Sequence, residues 1–247
     1  MLAARLIERN LTVYRRSWLV FVTGFAEPML YLFSIGVGLG ALVGDVDGVE
    51  YASFVAPAML AASAMNGAVF DATFGVFFKL RYTKLYDAVL ATPLRPLDVA
   101  IGEISWALLR GGIYATVFLL VMWVAGYVHS AQALLAVPAA TLIGFAFAAL
   151  GMAATTYMTS WQDFDYIALV TLPLFLFSAT FYPLSTYPPV GRLLVELSPL
   201  YSGVALIRGL TLGTTGGSAL AHAGYLLALG CLGLAVASRR LDRLLLR

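Results

Sequence analysis

Four ionisable side chains lie inside long apolar stretches of this sequence: Glu27, Asp71, Glu103 and Arg110. A charge at the centre of a bilayer costs about 2.5–3.5 kcal/mol on insertion scales, so such residues are candidates for function. Carboxylates and a guanidinium in these positions could relay protons or contact a substrate. The alternative is structural, because Asp71 and Glu103 could reach the membrane surface and Arg110 could neutralise Glu27 or Glu103. The sequence leaves both interpretations open.

The elements that carry these charges are long apolar helices. Of the 247 residues, 61% are hydrophobic and 11% are charged, whereas a soluble domain has about 25% charged residues. Hydrophobic runs of this length predict an all-α integral membrane protein with six transmembrane helices. The six predicted spans are residues 18–43, 52–78, 98–128, 132–158, 164–182 and 218–238.

Lysine and arginine are distributed unevenly between the two sides of these spans. Four lie in each of the segments 5–16, 79–95 and 239–247, which together hold twelve of the fifteen. The positive-inside rule therefore predicts that these segments, and both termini, are cytoplasmic. Residues 1–17 contain an amphipathic pattern with basic residues on one face, which predicts a helix lying in the headgroup plane.

The charged passage 79–103 separates the second and third spans. Its apolar residues fall on one stripe of a short helix: Tyr82, Leu85, Tyr86, Val89 and Leu90. The helix should end near Thr92, because the residue before a proline avoids the α region. Pro96 suits the first position of the next helix, with Asp98 near its positive end. This pattern fits a docking element, and it also fits a loop that rests its apolar stripe on the bilayer.

The segment 181–213 lies between the fifth and sixth spans, on the predicted outer side. It is too apolar for a free loop, and its prolines prevent a continuous span. We expect two half-helices, 189–197 and 199–212, that dip back into the outer leaflet. Irregular backbone at that depth must be buried in protein or line a wet cavity. The alternative is an amphipathic pair lying flat on the surface.

Several kinds of chemistry have no motif in this sequence. It contains no P-loop for a nucleotide and no G-x-S-x-G or H-E-x-x-H motif of a hydrolase. Its two histidines have no ligands at metal-binding spacing, and there is no basic surface with interleaved aromatics for nucleic acid. We therefore expect no cofactor, no metal and no enzymatic activity in this chain. Uphill transport would need energy from a partner or an ion gradient.

Five passages, in order, resemble the permease subunits of type-2 ABC exporters. They are EPMLYLFSIGVGLG (27–40), the 56–75 region around FDATFG, RYTKLYDAVLATPL (81–94) followed by Gly102–Glu103, FSATFYPL (177–184) and SPLYSGVALIRGL (198–210). Within that family the sequence is similar to nodulation-factor (lipooligosaccharide) exporters and daunorubicin-resistance-like permeases. Two positions depart from the family pattern, since Ala179 stands where glycine is frequent and Ser198 where asparagine is frequent.

The resemblance implies a homodimer of permeases in a bacterial plasma (inner) membrane, driven by separate cytoplasmic ATPase subunits that bind ATP and magnesium. It implies outward transport of an amphiphile, such as a glycolipid, lipid-linked saccharide or drug. The residues it assigns to ATPase coupling are Tyr82, Leu85, Tyr86, Asp87, Val89 and Leu90, with the apolar ones seated in a groove of the ATPase. The residues it assigns to an outer re-entrant gate are Pro183, Pro199 and Arg208.

Two other functional classes remain at this stage. A proton-coupled secondary transporter could use the four intramembrane charges as a relay, although no inverted repeat is visible. A membrane scaffold without transport activity, or a membrane-embedded enzyme, would also fit the composition. A neighbouring ATPase gene would argue against both.

Overall fold

The computed structural model describes residues 29–30 and 32–245, with the side chains of Val37 and Leu90 excepted. The predicted interfacial helix in 1–17, the start of the first predicted span and Glu27 lie outside these residues. A two-residue β-hairpin, β1 (Asp45–Val46) and β2 (Val49–Glu50), is the short sheet between the first two helices. The helices are α1 (Leu32–Val43), α2 (Tyr51–Tyr82), α3 (Leu85–Leu90), α4 (Pro96–Val124), α5 (Ala131–Thr155), α6 (Phe164–Leu176), α7 (Pro189–Glu196), α8 (Pro199–Leu212) and α9 (Ser218–Leu245).

Four of these helices are long and apolar enough to cross a membrane. They are α2, α4, α5 and α9, with 32, 29, 25 and 28 residues. At 1.5 Å per residue each exceeds the roughly 30 Å hydrocarbon core. Helices α7 and α8 pass the same test only as a pair, bent by 83° at their junction. The described residues therefore contain four or five candidate spans, consistent with an all-α membrane protein.

The fifth predicted span, 164–182, is shorter than expected. Helix α6 ends at Leu176 after 13 residues, which is about 20 Å and less than the hydrocarbon core. Pro173 lies in its last turn, and the Phe177 N–H donates to the Pro173 carbonyl at 2.8 Å as the helix ends. Two residues later Ala179 has a left-handed backbone with φ of 53°. The chain therefore turns away where the hydropathy pattern predicted continuation.

Helix α5 lies at the centre of the bundle and packs against α9, α2, α4 and α8. Its closest approach is to α9, through two glycines. A Cβ on Gly233 would lie 2.7 Å from the backbone of Ala149 and Leu150, and a Cβ on Gly230 would meet the ring of Phe145 at 2.3 Å. Small residues at such contacts let membrane helices approach closely enough for dispersion forces to hold them.

The two ends of the bundle are distinguished by their contacts. At one end Arg81 donates to the Met158 carbonyl at 2.9 Å, and the Arg240 guanidinium lies over the Tyr157 ring. Segments 79–95, 156–163 and 239–245 therefore meet at one end, which we call the basic end. At the opposite end the His129 N–H donates to the Thr211 carbonyl. The grouping of the described basic segments agrees with the side assignment that the charge count predicts.

The glycine contact between α5 and α9 generates a stability prediction. Gly233→Ala should destabilise the fold, because overpacking a tight contact costs about 1–3 kcal/mol. Gly224→Ala, in the same helix with no atom within 4 Å of the place a Cβ would occupy, should be neutral or stabilising by up to about 1 kcal/mol. Thermal unfolding of the detergent-purified protein would show a lower melting temperature for Gly233→Ala only. Equal effects would contradict the assigned contact.

Candidate functional site

Two ion pairs cross the contact between α2 and α4 near the basic end. The ammonium of Lys79 on α2 lies 2.6 Å from a carboxylate oxygen of Glu103 on α4. About two turns deeper in the bundle, Arg110 on α4 donates to the Asp71 carboxylate on α2. The exposed fractions of the Glu103 and Arg110 side chains are 6% and 7%, so both pairs lie largely away from solvent. We call these four residues the charge quartet.

The order of the charges makes the quartet selective for one helix register. Along α2 the acid precedes the base, and along α4 the acid also precedes the base, while the two helices run antiparallel. Each charge therefore faces its opposite, and Asp71 also interacts electrostatically with Lys79 and Glu103. In a region of low dielectric such interactions are strong. A shift of one helix by two turns would bring like charges together, so the quartet fixes the register.

The structure brings three of the four predicted intramembrane charges into ion pairs. As one alternative, the sequence let Arg110 neutralise Glu27 or Glu103; the structure shows an ion pair of Arg110 with Asp71. Sequence reasoning did not single out Lys79 as a partner for Glu103. The sequence signal that could have found both pairs is the similar spacing of opposite charges on consecutive antiparallel helices, eight residues from Asp71 to Lys79 and seven from Glu103 to Arg110. Glu27 lies outside the described residues.

Helix α2 widens into π-helical turns where it carries its charges. These turns cover Asp71–Gly75 and Phe78–Tyr82. A π turn rotates the residues that follow it relative to an ideal α-helix, and such turns are frequent at functional sites. The Thr155 hydroxyl on α5 donates to the Ala72 carbonyl at 3.0 Å, which supplies a partner at an irregular turn in the apolar interior. The quartet register therefore depends on these turns as well as on sequence spacing.

The short helix α3 joins the two helices of the quartet. Lys84, with φ of 48°, makes the sharp turn from α2 into α3. Pro96 begins α4 with Asp98 in its first turn, as the sequence predicted, and the Asp98 carboxylate accepts the Arg95 backbone N–H at 3.0 Å. The helix ends at Leu90, close to the predicted stop at Thr92. Thus α3 is a compact link whose two ends lead directly into the ion-paired segments.

The apolar stripe of α3 packs into the chain itself. The Tyr86 side chain is fully buried, and Leu85 and Val89 are half-buried against the same hydrophobic core. Helix α3 also packs against α9. The seating of the Tyr86 ring in an ATPase groove stays a prediction, and in this conformation the ring is covered by the chain itself. The side chain of Leu90 lies outside the described residues.

Most exposed side chains of this segment are polar. We define the α3 outer face as four of the exposed residues, Tyr82, Lys84, Asp87 and Ala88. Of the predicted coupling residues, Tyr82 and Asp87 lie on it. Charged surfaces of this kind contribute to the specificity and rate of association more than to raw affinity. Any partner that contacts α3 in this conformation therefore meets the α3 outer face.

An aromatic cluster lies beside α3 and was not predicted from the sequence. Trp161 lies 5.4 Å from the rings of both Tyr82 and Phe77, and Phe74 stacks on Phe164 at 4.0 Å. The signal that could have found it is the enrichment of Trp and Tyr at membrane surfaces. The cluster joins α2 to the connection between α5 and α6.

Asp163 orders that connection. Its carboxylate accepts backbone N–H groups of Thr159 at 2.6 Å and Ser160 at 3.0 Å. These hydrogen bonds hold the pKa of Asp163 below its usual value, because they favour the charged form. The connection that carries Trp161 is therefore a capped turn with a defined backbone.

Arg208 ties three segments together at the opposite end. Its Nε donates to the Phe54 carbonyl at 3.1 Å, and an Nη donates to the Ala179 carbonyl at 2.9 Å. The guanidinium also lies 3.8 Å from the centre of the Phe54 ring, a favourable cation–π arrangement. Because Ala179 is in the left-handed region, where glycine is favoured, the frequent glycine at this family position has a conformational reason.

The predicted gate prolines begin local elements near Arg208. Pro183 precedes a short 3-10 turn, and Pro199 is the first residue of α8. The Ser178 and Ser198 hydroxyls are hydrogen-bonded at 2.7 Å, which links the end of α6 to the bend between α7 and α8. A cavity of about 790 Å³ lies between α6 and α7, lined mainly by apolar residues with Thr186, Tyr187 and Ser198 among them.

In the part of the chain that the structure describes, no group of three or more His, Cys, Asp or Glu side chains could hold a metal ion. The described residues instead provide two ion pairs near the basic end and an apolar cavity near the opposite end of the bundle.

Comparisons with known proteins agree with the architecture. Residues 2–212 match the ABC-2 type transporter family. The chain is 34% identical over 221 residues to nodulation protein J of Rhizobium leguminosarum bv. viciae, covering 89% of this chain and 85% of that protein. It is 33% identical over 219 residues to nodulation protein J of Rhizobium meliloti strain 1021, covering 88% and 82%. It is 29% identical over 208 residues to the inner membrane transport permease YadH of Escherichia coli K12, covering 82% and 78%.

The charge quartet generates a test of its stabilising role. Lys79→Gln removes the ammonium that pairs with the buried Glu103 carboxylate, and breaking a buried pair costs about 3 kcal/mol or more. Lys84→Gln, on the exposed side of the same segment, should change stability by less than about 1 kcal/mol. Thermal unfolding in detergent distinguishes the two variants. Similar melting temperatures for both would show that the Lys79–Glu103 pair is not stabilising.

Proposed function

The chain belongs to the ABC-2 type transporter family, and we propose that it is the membrane subunit of an exporter driven by a separate ATPase. Family membership confirms the resemblance of the five sequence passages, and it makes the chain a transmembrane transport component rather than an enzyme. Beyond family membership, we propose that the complex moves an amphiphile outward across the membrane. The cargo class, a glycolipid, lipid-linked saccharide or drug, comes from the same resemblance.

The observation that carries the proposal is the position of α3. This helix lies at the basic end between α2 and α4, and the charge quartet ties those two helices together. A force applied to α3 would therefore reach both helices as one unit rather than bend one of them. Ordered elements with two discrete arrangements can carry such coupling between distant sites. A separate ATPase that closes on ATP would supply that force.

The α3 outer face is the surface we assign to the ATPase. Tyr82, Lys84 and Asp87 are exposed there, whereas Tyr86 anchors the helix internally. Docking would use an aromatic ring and two opposite charges, so a complementary surface could fix the orientation of the helix. Tyr86, Leu85 and Val89 would then transmit motion into the core rather than bind the partner directly.

The opposite end supports a role in cargo release. The α7–α8 pair, bent by 83°, would form the re-entrant segment, with Pro183 and Pro199 at its turns and Arg208 holding it to α2. The cavity between α6 and α7 has apolar walls and few polar groups, which suits an amphiphile. Movement of α2 would be transmitted to the turn after α6, because Arg208 donates hydrogen bonds to both the Phe54 and the Ala179 carbonyls.

A second copy of the chain would complete the transport unit. Helix α6 has no buried residue within one chain, and it exposes Leu169, Val170 and Leu172. Helix α6 has only 13 residues and is therefore shorter than the bilayer core. Contact with a second protein chain would stabilise such a short, exposed helix in the membrane. We place the dimer contact along α6, beside the cavity. The complex would lie in a bacterial plasma membrane with the basic end in the cytoplasm.

The docking proposal predicts a loss of ATPase partner on charge reversal. Asp87→Arg should reduce, by about tenfold or more, the ATP-hydrolysing subunit that co-purifies with the tagged chain, because interface anchors contribute about 2 kcal/mol or more. Glu196→Arg, an exposed reversal at the opposite end on α7, should leave recovery unchanged. Quantitative mass spectrometry of affinity-purified complexes provides the readout. Full recovery with Asp87→Arg would exclude this face.

A transport assay in membrane vesicles that contain the complex distinguishes ATP-driven export from proton-coupled transport. Transport in vesicles that is unaffected by an uncoupler but lost without ATP agrees with the proposal. Transport that an uncoupler abolishes while ATP is present would favour the secondary transporter.

The dimer proposal predicts a specific cross-link. In a Cys231→Ser background, Leu169→Cys on α6 should give a disulfide-linked dimer after mild oxidation in membranes. Leu220→Cys, at an apolar position on α9 that is even more exposed than Leu169, should remain monomeric. Non-reducing gel electrophoresis shows the result. Equal cross-linking at both positions would indicate random collision, and cross-linking of Leu220→Cys alone would place the dimer contact on α9.

A further inference from the structure

Two arginines from distant parts of the chain converge on the turn that follows α5. Arg81, at the end of α2, donates through Nη2 to the Met158 carbonyl at 2.9 Å. Arg240, in the last turns of α9, places its Cζ 4.0 Å from the centre of the Tyr157 ring. Tyr157 and Met158 are consecutive, so the two guanidinium groups flank one short stretch of backbone. We call Arg81, Arg240 and Tyr157 the arginine site.

The charges of this site differ from those of the charge quartet. Lys79 and Arg110 have carboxylate partners, whereas within residues 32–245 neither Arg81 nor Arg240 forms an ion pair. The Nε of Arg240 is moreover buried and has no hydrogen-bond acceptor among the described residues. A buried donor left without an acceptor is unfavourable, and more so when the group is charged. Phosphate oxygens bound to the same guanidinium would offset part of this penalty.

Capping of the α5 C-terminus explains only part of the arrangement. The Met158 carbonyl accounts for one N–H of Arg81, and a guanidinium has about five. The Tyr157 ring orients Arg240 by a cation–π contact but accepts no conventional hydrogen bond. Most of the donors of two guanidinium groups are therefore available at one place. Planar guanidinium forks match the oxygens of a phosphate in a bidentate manner.

The level of the site along the bundle identifies the source of that phosphate. Arg81 and Arg240 follow the apolar parts of α2 and α9, where the chain leaves the hydrocarbon region. Around them Tyr82, Tyr157 and Trp161 are 54%, 59% and 44% exposed. Tyr and Trp are enriched at the depth of lipid headgroups, and basic pockets between helices at that depth bind anionic lipids.

We propose that the arginine site binds the phosphate of an anionic phospholipid in the leaflet at the basic end. The lipid phosphate would accept from the remaining N–H groups of the Arg81 and Arg240 guanidiniums, while Tyr157 lies beside the headgroup. Bound there, the lipid links the ends of α2, α5 and α9. The inference does not depend on the ATPase partner or on the cargo, so it can fail while the proposed function holds.

The test measures lipid binding by the purified chain with matched variants. Phosphatidylglycerol and phosphatidylcholine are titrated separately onto the detergent-solubilised protein, and bound lipid is counted by native mass spectrometry. Arg81→Gln with Arg240→Gln should weaken phosphatidylglycerol binding by about tenfold or more, since hydrogen bonds to charged groups contribute strongly. Arg239→Gln, which removes a neighbouring exposed charge on the same helix, should bind within about twofold of the unaltered protein.

Arg240→Lys separates a built site from general electrostatic attraction. It keeps the charge but loses the Nε and the fork, so binding should fall nearly as far as with Arg240→Gln. Because this variant is conservative, it also serves if the double variant fails to fold. Equal losses in Arg239→Gln and Arg240→Gln, or full binding by Arg240→Lys, would overturn the proposal.

Two further arms exclude other occupants. Inorganic phosphate alone, at the same phosphate concentration, should not raise the melting temperature, whereas phosphatidylglycerol should. An equal rise with inorganic phosphate would show a site for a free anion and would overturn the lipid assignment. If the double variant loses its co-purifying ATPase and retains lipid, the arginines belong to the protein interface and the proposal is wrong.

Discussion

The register of α2 against α4 rests on the crossed ion pairs Lys79–Glu103 and Arg110–Asp71. Burying any one of these charges alone would be strongly unfavourable, so the folded state must bring all four together. Their arrangement rejects a shifted register, because a shift places like charges side by side. The rest of the basic end follows from this constraint, since α3 can pack only where the ends of α2 and α4 hold it. Stability and the proposed transmission of force from α3 therefore depend on the same contacts.

The internal packing extends this constraint through the bundle. Tyr86 anchors α3 in the core, and α3 packs against α9, whose Gly230 and Gly233 allow the closest contact with α5. At the opposite end Arg208 connects α8 to α2 and to the turn after α6. A movement that begins at α3 thus has a continuous packed route to the cavity between α6 and α7. This continuity supports the proposal that a separate ATPase drives the permease.

Sequence reasoning predicted the features that depend on local rules. Proline chemistry located the starts of α4 at Pro96 and α8 at Pro199, and hydropathy located the four long helices. Sequence reasoning did not predict the features that tertiary contacts determine. The stripe of α3 was recognised, but an amphipathic pattern does not say which partner covers it, and Tyr86 turned inward. The pairing of Lys79 with Glu103 depends on a π turn, Asp71–Gly75, that rotates Lys79 relative to Asp71. The end of α6 at Leu176 reflects a turn held by Arg208, which hydropathy does not report.

A charge-exchange cycle on the quartet tests the central claim most directly, with the co-purifying ATPase and the melting temperature as paired measurements. Asp71→Arg and Arg110→Asp alone each place like charges in contact, whereas the double exchange restores an opposite pair at the same position. The account predicts that each single variant loses both stability and ATPase recovery, and that the double variant regains a substantial part of both. A double variant no better than the worse single one would contradict the claim that this pair holds α3 in place.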